Sequence, residues 1–105
     1  MINTERVLDA LGDRTRRRVF MRLRKRPHYA GELALGMRVT RSAVSQHLKV
    51  LKAAGLVSVE AEGTRRLYRV DPEGLAALRA ELDRFWSDTL AGYKAVVERS
   101  PEEPE

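Results

Sequence analysis

The chain has no cysteine, which removes disulfides, thiolate metal sites and thiol redox switches together. It has only two histidines, His28 and His47, and neither stands at a recognisable motif spacing from a nucleophile. Catalysis therefore finds little support. A metal site usually needs three or four convergent ligands, so none is expected at either histidine. Long apolar runs are missing as well: nothing approaches the ~18 to 20 residues that a membrane span requires, and the start of the chain has no apolar signal segment. These absences point to a cytoplasmic protein with no catalytic residues, no metal, no cofactor and no membrane partner.

Acidic residues are scarce in the first two thirds of the chain. Residues 1–70 hold 16 Lys and Arg against 6 Asp and Glu, whereas residues 71–105 hold 4 against 9. A net charge of +5 thus divides into a basic front and an acidic rear. A front of that kind suits a polyanion, and the rear has a different task. The densest run is Arg14, Arg16, Arg17, Arg18, Arg22, Arg24, Lys25 and Arg26. Consecutive helical residues point in different directions, so only roughly a third of these cations are expected to reach phosphate, and the rest form a solvated face.

Periodicity makes the chain mainly helical. A short helix from Thr4 to Leu11 turns Val7, Leu8 and Leu11 inward, and Gly12 interrupts it. Asp13 then caps a second helix that buries Val19, Phe20 and Leu23 and ends near Lys25, before Pro27. A third runs from Ala30 to about Leu35. Its start is poorly marked because His28 and Tyr29 are weak caps, and His28 is expected in solvent. Gly36 permits the following turn, and Val39 plugs it.

The most informative stretch is TRSAVSQHLKVLKAAG, Thr40 to Gly55. At 100° per residue from Val44, Leu48 and Leu51 fall within about 40° of it, while Ser42, Ser45, Gln46 and Lys49 fall opposite. That free face carries hydroxyls, an amide and a cation but no carboxylate, so its target is an anion. Thr40 caps the helix, with Arg41 and Ser42 in a first turn whose free N–H groups favour phosphate. Gln, Ser and Arg all donate to base edges in a DNA major groove. His47, on the flank, is expected as a half-buried packing residue able to hydrogen-bond a phosphate. An ordinary amphipathic helix would show the same stripe, and the next segment tips the balance toward DNA. Val57 to Glu62 and Arg65 to Val70 flank Gly63 and Thr64, a two-residue hairpin turn of the glycine-first type. In that register Val59 faces Tyr68 and Val57 faces Val70 on one side, while Glu62 faces Arg65 and Ser58 faces Arg69 on the other. Arg65 and Arg66 sit at the tip, where cations can straddle the backbone beside a groove.

LGDRTRRRVFMRL, GELA, SAVSQHLKVLKAAGLV and EGTRRLYRVDPEGL resemble the winged helix-turn-helix repressors of the ArsR/SmtB family, over about Val7 to Val97. The resemblance implies a homodimeric transcriptional repressor whose helix from Thr40 to Ala54 reads operator DNA. Metal-sensing members carry a cysteine pair in the helix equivalent to Glu32 to Met37, or His and carboxylate ligands on the last helix. This chain reads ELALGM and has no histidine after His47, and Arg14 replaces a proline that is frequent in the family. A member without a metal site is implied.

Asp71 and Pro72 open a long last helix, as N-cap and first helical residue. Leu75, Leu78, Leu82 and Phe85 recur at spacings of three and four, and Trp86, Leu90, Tyr93 and Val97 continue one position over, as a 3.6-residue period requires. So long an apolar stripe exceeds what a small domain can cover. Val7, Leu8, Leu11, Leu78, Leu82, Phe85, Trp86, Leu90 and Tyr93 are therefore expected at a homodimer interface. The expected architecture is one domain over residues 1–99, mainly α with a small β-hairpin wing, dimerising through its terminal helices, the last at about residues 72–99. Residues 100–105, SPEEPE, are expected to be a disordered acidic tail. Two other readings remain: a winged-helix module that binds protein, and a sequence-tolerant architectural DNA binder. The small-molecule effector is unknown: the sequence does not say whether a ligand releases the DNA or whether concentration alone sets repression.

Overall fold

Asp13 separates two helices by capping one and ending the other. Its backbone is extended (φ −84°, ψ 129°), and its carboxylate accepts the Arg16 backbone N–H at 2.8 Å. That bond is the main reason its carboxyl lies below the usual carboxylate range. Before it lies α1 (Thr4–Gly12) and after it α2 (Arg14–Lys25). The computed structural model describes residues 3–99, so the expected acidic tail lies outside the described residues. The remaining elements are β1 (His28–Tyr29), α3 (Ala30–Met37), α4 (Arg41–Ala53), β2 (Val57–Glu62), β3 (Arg65–Val70) and α5 (Pro72–Arg99).

The wing has the expected register, with Val57 opposite Val70, Val59 opposite Tyr68 and Glu62 opposite Arg65. Gly63 takes φ +62° while Thr64 does not have positive φ, which fits a glycine-first turn. The sheet is nevertheless three-stranded, in the order β1-β3-β2. His28 pairs with Tyr68 and Tyr29 with Leu67. This pairing overturns the expectation that His28 lies in solvent: it is buried, and its Nδ1 donates to the Arg26 carbonyl at 2.8 Å. Two residues are too few to show a strand period, so the sequence pattern gave no sign of β1.

The turn after α3 also differs from expectation. Gly36 lies inside the helix, and the left-handed residue is Arg38 (φ 58°, ψ 41°). Arg38 N–H bonds to Leu35 O and Val39 N–H to Ala34 O, the paired bonds of a Schellman cap, with half-buried Val39 as its apolar plug. The same motif ends α4, where Gly55 takes φ +83°, its N–H bonds to Lys52 O and Leu56 N–H bonds to Leu51 O.

Val7, Val19, Leu33, Val44, Leu48, Leu51 and Leu56 are fully buried at the centre, one or more from each of α1 to α4. Val7 is thereby removed from the expected dimer surface: at 0% exposure, α1 has turned it into its own domain. Leu11 and Leu78 are half-buried against the same core, whereas Leu8, expected inward, is 60% exposed. A nine-residue helix has one narrow apolar stripe, and Val7 and Ala10 occupy it.

Asp71 caps α5 through the Glu73 and Gly74 N–H groups, and Leu75 and Leu78 pack on the core. Beyond Glu81 every described residue of α5 is exposed. A helix of 28 residues runs ~42 Å, so most of it stands clear of the domain that starts it.

Candidate nucleic-acid interface

Thr40 Oγ1 accepts the Ala43 N–H at 3.0 Å and so fixes where α4 begins. Val44, Leu48 and Leu51 point into the core, and Arg41, Ser42, Ser45, Gln46 and Lys49 are all exposed. The face expected to be free is free. His47 is half-buried on the flank, as expected. Gly31 leaves room for Arg41, whose Cζ lies 3.8 Å from where a Cβ at Gly31 would stand. Arg41 therefore lies along the start of α3.

An open cleft of about 860 Å³ runs between α4 and the wing, and Arg41, Ser45, Lys49, Lys52, Arg65 and Arg66 line it. Of the sequence-derived residues, Arg41, Ser45, Lys49, Arg65 and Arg66 thus share one cleft, whereas Thr40, Ser42, Gln46 and His47 do not line it. Glu32, which lines the cleft, and Glu62, which faces Arg65 across the wing turn, are each engaged. Glu32 Oε1 accepts the Tyr29 backbone N–H, which holds its carboxyl below the ordinary value, and its Oε2 pairs with Arg26 at 3.2 Å. Glu62 accepts a hydrogen bond from the Tyr29 hydroxyl at 2.6 Å.

The arginines of α2 do more than form a solvated face. Arg16 donates to Asp9 O and Ala10 O, and Arg17 to Leu11 O and Gly12 O, so together they satisfy the last four carbonyls of α1. Arg22 donates to Gly36 O near the end of α3. Sequence periodicity assigns these cations to a face but cannot show that a preceding helix ends within their reach. A second open groove, of about 880 Å³, lies along the outer side of α2 between Arg14, Arg18, Met21 and Lys25. It contains none of the residues of α4 or the wing.

Tyr29 is the residue that sequence reasoning missed at this site. Its ring lies under the Arg65 guanidinium, with Cζ 3.6 Å from the ring centroid. The only signal for it was indirect, since a strand before α3 would have been needed to bring residue 29 beside the wing. No group of three or more His, Asp or Glu able to hold a metal ion occurs among the described residues, and none of their helices is long and apolar enough to cross a membrane.

A helix-turn-helix domain model matches residues 11–60. The chain is 53% identical over 94 residues to the HTH-type transcriptional regulator Rv2034 of Mycobacterium tuberculosis, covering 90% of this chain and 88% of that one. Among solved structures it is similar to an ArsR-like transcriptional regulator from Rhodococcus sp. RHA1, with a TM-score of 0.75 and 31% identity over 90% of this chain and 92% of the other. Its fold is also that of the homodimeric winged helix-turn-helix DNA-binding domain of Mb0332 from Mycobacterium bovis, with a TM-score of 0.63 and 23% identity over 95% and 86% of the two chains. With the exposed α4 face, the wing and these likenesses together, the chain belongs to the ArsR/SmtB family of winged helix-turn-helix transcriptional regulators.

Proposed function

We propose that the protein is a homodimeric, sequence-specific repressor that occupies an inverted-repeat operator overlapping a promoter. The observation that carries this reading is the carboxylate-free face of α4, exposed along its length beside a wing with two arginines at its tip. Thr40, Arg41, Ser42, Ser45 and Gln46 contact base edges or the phosphates at the helix start. His47, Lys49, Arg65 and Arg66 hold backbone. Residues 1–99 act as one unit, with α5 as the dimerisation helix. The activity is binding, not catalysis, and its place is the cytoplasm, where the DNA is.

Gln46 tests the reading of sequence. Gln46→Ala is expected to weaken operator binding by about 1 to 3 kcal/mol while leaving affinity for random DNA nearly unchanged, because a base contact is lost and no phosphate contact is. Titration of both duplexes checks this, and equal losses on the two would contradict it. With no thiol and no histidine on α5, release of DNA does not depend on metal. Zinc, cadmium or arsenite at low micromolar concentration should leave operator affinity unchanged. Stoichiometric binding by calorimetry with a matching fall in affinity is the contrary result.

A further inference from the structure

Arg65 faces Glu62 directly across the wing turn, the arrangement in which opposite charges ordinarily pair. They do not pair here. The ion pairs among the described residues are Arg26–Glu32, Arg69–Glu60 and Arg84–Glu81. Glu62 instead takes the Tyr29 hydroxyl, and the Arg65 guanidinium rests on the Tyr29 ring. A guanidinium held by its flat face keeps the N–H groups around its edge free, and a stacked arginine is already ordered for a bidentate phosphate. Tyr29 itself is fixed twice, by its strand pairing with Leu67 and by its backbone bond to Glu32 at the start of α3. The Glu62 hydrogen bond raises the phenol above its ordinary value, consistent with its role as the donor in that bond.

We propose that Tyr29 is a positioning residue for DNA binding: its ring orders the Arg65 guanidinium at the wing tip, and its hydroxyl, bonded to Oε1 of Glu62, holds that carboxylate away from pairing with the cation. The inference rests on the DNA-binding reading and extends it to a residue outside the reading helix and the wing.

Phosphate contacts are indifferent to sequence, so a mixed-sequence duplex titrated at several salt concentrations is a sufficient probe. Arg65→Ala should flatten the salt slope by about one unit. Tyr29→Ala should lower affinity about two- to five-fold, the range an exposed cation–π contact supports, and the double variant should bind no worse than Arg65→Ala alone. Tyr29→Phe keeps the ring but frees Glu62, so it should also weaken binding, and adding Glu62→Gln should restore it. A purely structural tyrosine would instead give losses that add to those of Arg65→Ala. Such additivity, a Tyr29→Ala variant that binds like the wild type, or a Tyr29→Phe loss that Glu62→Gln does not reverse would overturn the proposal while DNA binding stood. A wild-type protein with no salt-dependent affinity would overturn the DNA-binding reading and this inference with it.

Discussion

Gly74→Ala is expected to destabilise the protein by about 3 kcal/mol, the upper end for an overpacked site, although in most helices the same change is favourable by about 1 kcal/mol. A Cβ at residue 74 would stand 1.8 Å from Gly55 O and 2.9 Å from Gly55 C. Those are backbone atoms of the left-handed residue that closes α4, so no side-chain rotation can relieve the clash. The chain is also tied there by the Asp71 N–H, which bonds to Leu56 O at 2.9 Å. Either the start of α5 moves away from the end of the reading helix or both are strained. Gly92→Ala supplies the contrast, because nothing lies within 4 Å of a Cβ there. It should gain about 0.5 to 1 kcal/mol from the reduced freedom of the unfolded chain. Urea unfolding of the two variants measures both. A Gly74→Ala protein as stable as Gly92→Ala would mean that α4 and α5 do not meet as closely as Gly55 and Gly74 require. The contact also has a functional reading: the helix expected to join subunits begins against the helix expected to read DNA.

What was legible in the sequence was whatever a period or a local cap encodes. The free and buried faces of α4, the wing register to the residue, and the Asp13, Thr40 and Asp71 caps all follow from side-chain type at fixed spacing. The elements missed depend on contacts distant in the chain. Strand β1 exists because β3 has a free edge beside it, and no property of the dipeptide His28-Tyr29 announces that edge. Gly36 looked like the turn residue because glycine tolerates positive φ, yet the chain places Arg38 there and holds it with two cap bonds and Val39. Within the candidate site, the α4 residues could be named from one helix alone. Tyr29 could not, because it joins the site only once residues 29, 62 and 65 are brought together by the sheet. The dimer residues split in the same way. Val7 obeys the apolar pattern but is consumed by its own domain, whereas the stripe from Leu82 onward has no domain beneath it.

In the proposed reading, that stripe makes assembly the condition for DNA binding. Trp86 is 59% exposed and Tyr93 68%, and Phe85, Leu90, Val96 and Val97 are exposed with them. A run of exposed apolar and aromatic side chains on one helix is the kind of surface that marks an interaction site in a soluble protein. If a second copy covers it about a two-fold axis, the two reading helices are fixed relative to each other. The operator should then be an inverted repeat whose half-sites lie about 34 to 36 Å apart, or a multiple of that. Leu82→Asp or Trp86→Asp would bury an unpaired carboxylate in the dimer, at a cost of several kcal/mol, but in the lone subunit would leave it in water. Each variant should therefore be a folded monomer. Its operator affinity should fall by orders of magnitude although α4 is untouched, because two half-sites joined in one dimer bind at high effective concentration and separate ones do not. Sedimentation gives the mass, circular dichroism the helix content and titration the affinity. A folded monomer that keeps full operator affinity would show that one α4 and one wing suffice, and the two-fold mechanism would have to be abandoned.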